Sequence, residues 1–471
     1  MTLLRVSGTG GLVALAGLGL IGFLATRPLP PRPARPRRRV VVLGAGFGGL
    51  AAAQRLHGRK GIDLTVIDTH NHHLFQPLLY QVATAALSPA DIASAVRGVL
   101  PPTRDSHVRR ATVTGIDPAA RLVHCGEGEP VPYDELIVAT GSRPSYFGHD
   151  DWAKAAPGLK TLDDALVLRR RVLEAFERAS ACSDEAERRR RLCFVLIGGG
   201  PTGVEMAGAI AELAHDTLPR DYALSPDLAR IVLIEGSEHI LSAFAPDLRD
   251  YARRALRRMD VEVLTGTKVT GIEPGVVHTE AGAFSSGCIV WTAGTEATPV
   301  ADWLGVKPGK GGRVPVGADL RLPSHPEIAV IGDAALALDG KGQPLPGLAP
   351  VAKQGGGFVA WTILRRAAGG RARRRFRYVD FGNLATIGRN KAVAEFGSVH
   401  LSGFPAWITW AVAHIFFLIG FRNRLLVSAQ WAFAYASHER AGRLIVPSEA
   451  QDREVQEGAG QAKKKAIPNR M

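Results

Sequence analysis

Two glycine-punctuated stretches carry residue types that can hold a phosphate. The first is Val40-Val-Val-Leu-Gly44-Ala45-Gly46-Phe-Gly-Gly49 and the second Cys193-Phe-Val-Leu-Ile-Gly198-Gly-Gly200-Pro201-Thr202-Gly203. In each, an apolar run ends in G-x-G-x-x-G and passes into an Ala-rich helical run. The first glycine permits a tight turn, the second lets a pyrophosphate approach the backbone, and the third lets the helix pack on the strand. The amides freed at the helix start, together with the helix dipole, make an anion seat, and Pro201 suits the first helical position.

Each signature leads to a strand that ends in an acid. Leu64-Thr-Val-Ile-Asp68 places Asp68 19 residues beyond Gly49, the spacing at which a carboxylate meets a ribose hydroxyl pair. Ile231-Val-Leu-Ile-Glu235 places Glu235 32 residues beyond Gly203, with residues 217–229 supplying the extra loop. A carboxylate there bonds a plain ribose and repels a 2′-phosphate, which favours NADH over NADPH. A further strand then closes each unit on a glycine. One runs from Tyr133 through Thr140 and Gly141 to Ser142, beside which a flavin or its phosphates can lie; the other runs from Ile289 to Gly294. The closing glycines follow the opening ones by 97 and 96 residues, which marks two copies of one unit. Two dinucleotides on one chain imply electron transfer between them.

The elements that position these residues are therefore strand–turn–helix–strand units, and the expected fold is α/β with two tandem Rossmann-like domains. With 471 residues, 46% of them hydrophobic, and 53 glycines, the chain can bury two or three cores and is not a disordered polymer. Its four cysteines form no C-x-x-C pair, reading as buried small hydrophobes in a reducing compartment. The net charge of +14 suits an anionic lipid surface, and no recognisable nucleic-acid module accompanies it. The charged run 161–191 reads as a solvated helical face.

Together these segments resemble the two-dinucleotide flavoprotein oxidoreductases. In detail they are similar to the type II NADH dehydrogenases, the single-chain, non-pumping NADH:quinone oxidoreductases of respiratory chains. The resemblance rests on Phe75-Gln-Pro-Leu-Leu-Tyr-Gln-Val-Ala83, Gly198-Gly-Gly-Pro-Thr-Gly-Val-Glu-Met-Ala207, Ile331-Gly-Asp-Ala334, Leu345-Pro-Gly-Leu-Ala-Pro-Val-Ala-Lys-Gln354, Leu384-Ala-Thr-Ile-Gly-Arg389 and Gly403-Phe-Pro-Ala-Trp407. It implies FAD in the first site, held by Gly44, Ala45, Gly46, Gly49, Asp68, Thr140, Gly141, Gly332, Asp333 and Ala352. It implies NADH in the second, held by Gly198, Gly200, Pro201, Thr202, Gly203, Glu235 and Gly294. Glu205 falls where the family has a carboxylate close to nicotinamide and flavin, and otherwise reads as a surface Glu in a helix first turn. Lys353 and Gln354 fall where the family approaches flavin and quinone. Many members have Gln where this chain has Pro350 and Gly355, which leaves Gln354 as the amide candidate for the quinone. Disulfide reductases of this fold carry a cysteine pair where His72 to Ala85 has none. No metal is implied.

The remaining segments point to a membrane. Gly10 to Ala25 is apolar and is followed by Arg27, Arg32 and Arg35 to Arg39, an arrangement that keeps the body cytoplasmic if the run is an anchor; a start-site extension is the other reading. Pro405 to Phe421 is apolar with aromatics at helical spacing, and a second apolar helix of about a dozen residues carries Trp431 and Tyr435. Such a pair fits helices lying in the interface better than a hairpin through it. Arg389 and Lys391 line a quinone entrance or contact phosphate head groups. His414 reads as a packing residue.

The expected organisation is anchor and linker at 1–39, a FAD domain at 40–160 and 286–375 with the NADH domain 161–285 inserted, a C-terminal membrane-associating region at 376–446, and a disordered basic tail at 447–471. The expected partners are ubiquinone or menaquinone and membrane lipids, with no nucleic acid. The site would be the cytoplasmic face of the cell membrane, and homodimer formation is left open. The alternatives are a soluble FAD/NADH reductase of a small electron-transfer protein, or a non-enzymatic NAD- or flavin-binding interaction protein.

Overall fold

A computed structural model describes residues 37–370, 375–437, 440 and 442–445; the expected anchor and linker up to residue 36 and the basic tail from 447 lie outside them. Strand β1 (Arg38–Leu43) leads through the first glycine turn into helix α1 (Phe47–Leu56) and strand β2 (Ile62–Asp68). Helix α2 (Leu79–Ala83) and strands β3 (Ser106–Arg110) and β4 (Glu135–Val138) follow. The second unit begins with helix α3 (Leu162–Ser180) and runs through β5 (Cys193–Ile197), α4 (Pro201–Glu212), β6 (Arg230–Ile234), β7 (Val261–Leu264) and β8 (Cys288–Trp291). Strand β9 (Ile328–Val330) and helix α5 (Ala349–Ala367) return to the first unit.

Both units are parallel sheets. The first has the order β9–β4–β1–β2–β3 and the second β7–β6–β5–β8. Their strands read as nearly unbroken apolar runs because both faces are covered, and period-2 alternation shares the residues between two cores. Val40, Val42, Leu64 and Val66 pack on the α1–α5 side, whereas Val41, Leu43 and Ile67 pack on the opposite face. In the second sheet Phe194, Leu196 and Ile231 face one core while Val195, Ile197 and Val232 face the other. Strand β8 pairs with β5, so the chain returns to the first sheet after Trp291, later than the expected boundary at 286. That boundary fell short because a closing strand belongs with the glycine turn it pairs against.

The charged run 161–191 is only partly a solvated face. Helix α3 is amphipathic and buries Leu168, Val172, Leu173 and Phe176, together with Arg169, whose burial lowers its pKa. The arginines of 188–191 lie on a separate short helix, where Arg189, Arg190 and Arg191 pair with Glu185 and Glu187. All four cysteines are free, and burial pushes the Cys193 and Cys288 thiols up to about 11 and 12.

The C-terminal region starts with the antiparallel strands β10 (Asn383–Gly388), β11 (Lys391–Phe396) and β12 (Val399–Ser402). It continues into helices α6 (Phe404–Phe417) and α7 (Phe421–Ser437). The apolar run expected from Pro405 to Phe421 ends at Phe417, because Leu418 turns extended and Gly420 takes φ +89°. Helix α7 then spans 17 residues rather than the expected dozen. Among the described residues, no helix is long and apolar enough to cross a membrane.

Candidate functional site

The two glycine turns have the same construction. Gly44 (φ +94°) and Gly198 (φ +110°) sit where a Cβ would fall 2.3 Å from the Ala139 oxygen and 2.5 Å from the Ala293 Cα. A Cβ at Gly49 or Gly203 would lie 1.8 Å from the carbonyl oxygen of Gly44 or Gly198, so each helix packs directly on its turn. At Gly46 and Gly200 a Cβ would meet nothing within 4 Å. These two positions border open space at the starts of α1 and α4, the place a pyrophosphate takes. The residues present therefore fit two dinucleotides.

The acids that follow grip their own turns. Asp68 accepts from the Ala45 amide at 2.6 Å and from the His70 amide at 2.7 Å. Glu235 accepts from the Gly199 amide at 2.5 Å and from the Ser237 amide and hydroxyl at 2.8 and 2.7 Å. Each carboxylate thus clamps the residue that follows the first glycine. A carboxylate has about four acceptor sites, so capacity is left for ribose hydroxyls. The long gap before Glu235 is filled by a π-turn at Leu213–Thr217 and the short helix Leu218–Tyr222.

The remaining expected cofactor residues meet where the units join. The strand Ser142–Pro144 pairs antiparallel with Thr295–Ala297, next to Gly141 and Gly294. Thr140 Oγ1 lies 2.6 Å from Thr298 Oγ1. Asp333 accepts from Ser142 Oγ at 2.7 Å and lies 3.5 Å from Lys160 Nζ. Gly332 (φ +67°) faces Ala352, whose Cβ would be 3.1 Å from a Cβ at the glycine. His73 donates from Nδ1 to the Ala45 carbonyl at 2.8 Å, and its buried Nε2 has no partner among the described residues. Burial lowers its pKa, so this free nitrogen is an acceptor beside the first glycine turn.

A cavity of about 510 Å³ lies between α4, α2, the β10–β11 turn and the C-terminal helices. Glu205 stands in its wall, half-buried, and burial pushes its carboxyl up to about 8, with the Thr386 backbone partly opposing. Arg389 lines the same space. Its amide donates to Glu212 at 2.5 Å, and its guanidinium donates to the Ala434 carbonyl while lying 5.3 Å over the Tyr435 ring. Arg440 bridges Glu212 and the Thr84 carbonyl, both at 2.9 Å.

The structure thus brings Glu205 and Arg389 together and leaves Lys353 and Gln354 outside that cavity's walls. Lys353 is exposed, with its ammonium 5.1 Å over the Phe417 ring. Gln354 spends both ends of its amide on the Val379 backbone, at 2.9 and 3.0 Å. Tyr80, Gln81, Glu212 and Arg440 line the cavity without having been singled out from sequence, and Trp431, expected only as an interface aromatic, lines it too. Tyr80 and Gln81 do lie in the quoted 75–83 motif, where polar groups among large apolar ones were the available signal. His414 donates to the Trp410 carbonyl at 2.7 Å and packs against Phe75, as a packing residue should.

Comparison with known proteins follows the same lines. The chain matches the pyridine nucleotide-disulphide oxidoreductase family over residues 38–356. It is 41% identical over 436 residues to the type II NADH:quinone oxidoreductase Ndh of Mycobacterium tuberculosis, covering 89% of this chain and 92% of that one. It is 29% identical to an internal alternative NAD(P)H-ubiquinone oxidoreductase of Arabidopsis thaliana, covering 86% and 85% of the two chains. In fold it is similar to the Plasmodium falciparum NDH2 in complex with NADH, with a TM-score of 0.79 at 20% identity over 87% of this chain and 100% of that one. With its paired glycine turns, the absence of a cysteine pair from 72–85 and this likeness over nearly nine-tenths of its length, the chain belongs to the type II NADH:quinone oxidoreductases.

Proposed function

We propose that this chain is an FAD-dependent, non-pumping NADH:quinone oxidoreductase docked on the cytoplasmic face of the cell membrane, with ubiquinone or menaquinone as acceptor. The observation that carries the reading is a pair of open glycine turns, at Gly46 and Gly200, on one chain with a separate cavity that has an acid-form carboxyl and aromatic C-terminal helices in its walls. FAD, when bound, accepts the hydride of NADH and passes two electrons to the quinone.

The chain's own residues bind, orient and hold protons. The turn at Gly44–Gly49 with Asp68, Thr140, Gly141, Gly332, Asp333 and Ala352 takes FAD, and the turn at Gly198–Gly203 with Glu235 and Gly294 takes NADH. Glu205 keeps a proton at the cavity wall up to about pH 8, where a quinone oxygen needs one. Arg389 shapes the entrance on the side of α7. Gln354 would reach a quinone only by giving up its hold on Val379, so its part here is to anchor α5, while Lys353 sits toward the lipid-facing aromatics. Docking is supported by Val412, Phe416, Phe421 and Phe433, all more than 60% exposed on α6 and α7. Such a patch is unusual on a monomer that meets only water.

Steady-state NADH consumption by the flavin-loaded, full-length protein tests this reading. It should require an added quinone and rise with quinone concentration. Turnover with a small electron-transfer protein but with no quinone would overturn it.

A further inference from the structure

The cavity holds a one-way chain of hydrogen bonds that the roles above leave unused. Trp431 Nε1 on α7 donates to Gln81 Oε1 at 2.8 Å, and Gln81 Nε2 donates to the Tyr80 hydroxyl at 2.9 Å. An indole can only donate, so Gln81 must turn its oxygen toward Trp431 and its NH2 toward Tyr80. The phenol oxygen is thereby made an acceptor, and its own hydrogen must point away from Gln81. Among the described residues nothing accepts that hydrogen, and Tyr80 lines the cavity with Glu205. A second donor is also unspent: Trp410, 2% exposed and stacked on Trp431 with centroids 5.2 Å apart, has its Nε1 buried with no partner among the described residues. Two free donors beside a protonated carboxyl match a ligand whose oxygens only accept, such as a quinone; a hydroquinone brings donors of its own.

Resting on the quinone reading of this cavity, we propose that Tyr80 is the hydrogen-bond donor that orients the quinone carbonyl, and that Trp431 fixes its direction through Gln81. Trp431 is then a positioning residue, and the seating of α7 becomes a condition for quinone capture. Burial keeps the phenol neutral, so it donates a bond without giving up its proton.

The test uses the full-length, flavin-loaded protein with a water-soluble short-chain benzoquinone. Tyr80→Phe and Trp431→Phe should each lower kcat/KM for the quinone about tenfold, the worth of one hydrogen bond to the ligand. The KM for NADH and the anaerobic bleaching of the flavin by NADH should stay unchanged. The double variant should be no worse than Tyr80→Phe alone, because Trp431 acts only through Tyr80. Gln81→Glu offers acceptors to both neighbours, takes the phenol's hydrogen and should show the same loss, a check should Trp431→Phe fold poorly. Full quinone kinetics in Tyr80→Phe, or additive losses in the double variant, would overturn the proposal. A wild-type flavin that NADH bleaches but quinone does not restore would instead overturn the underlying reading.

Discussion

Glu205 is the fifth residue of α4, one step past the first turn expected from sequence, where an exposed carboxylate is ordinarily ionised. Its carboxyl is instead pushed from the usual 4.5 up to about 8, because the walls of the cavity strip water from the charged form. The charged groups that line the cavity with it are Glu212 on its own helix, Asp216, Arg258 and Asp260 beyond it, Arg389 of the β10–β11 turn, Lys391 at the start of β11, and Arg440, with His215 and the neutral Tyr80 of α2. A raised carboxyl favours folding in its protonated form. Its contribution is full below about 4.5 and is lost as pH rises through about 8. Glu205→Gln should therefore remove a fall in thermal midpoint across that window, and should gain on the wild type at its alkaline end. The same substitution should lower quinone turnover about 100-fold, the lower end of what a general acid contributes, and abolish the alkaline limb of the pH–rate profile. An unaltered limb near pH 8 in Glu205→Gln would assign the titration to another group. The sequence placed this carboxylate by motif, but its ionisation depends on Thr386, Trp410 and other walls far away in the chain, which no local spacing reveals.

At the scale of elements, the close approaches are made through glycine. A Cβ on Gly356 of α5 would lie 2.0 Å from the Gly48 oxygen on α1, and one on Gly208 of α4 would lie 1.6 Å from the Ile387 oxygen on β10. The second contact matters more for function, because α4 carries Glu205 and β10 leads to Arg389. Gly208→Ala should push helix and hairpin apart, lower the thermal midpoint by several degrees and reduce quinone turnover. Differential scanning fluorimetry beside steady-state assays will check it, and an unchanged midpoint would mean that the hairpin is free to shift. The strand–turn–helix units were legible because each is local, with apolar run, glycines and terminal acid in sequence order. The cavity was not, since its walls come from α2, α4, the β10–β11 turn, α7 and Arg440, separated by up to several hundred residues. The boundary at 286 and the dozen-residue α7 were misjudged for a related reason. A closing strand belongs to the sheet it pairs with, and an apolar helix stops where Gly420 and its neighbours break the backbone.

For the whole molecule, the proposed docking on a membrane draws on two features together, the exposed apolar residues of α6 and α7 and a net charge of +14. Each large aromatic buried in the interface contributes about 1.5–3 kcal/mol, and each well-placed basic residue about 1 kcal/mol on an anionic surface. Replacing Phe416, Phe421 and Phe433 by Ser together should cut partition onto vesicles containing anionic lipid by at least about 100-fold. Turnover with a water-soluble quinone should persist, since none of the three lines the cavity. Undiminished vesicle binding would argue that other surfaces hold the membrane. In the proposed function, one chain grips two dinucleotides in turn-and-helix cradles and delivers their electrons to a third site beside the lipid. An anaerobic titration of the purified, full-length protein, followed at the flavin absorption band, tests it most directly. One equivalent of NADH should bleach the band and one equivalent of quinone should restore it. A protein that cannot be loaded with flavin, or whose bleached band no quinone restores, would contradict it.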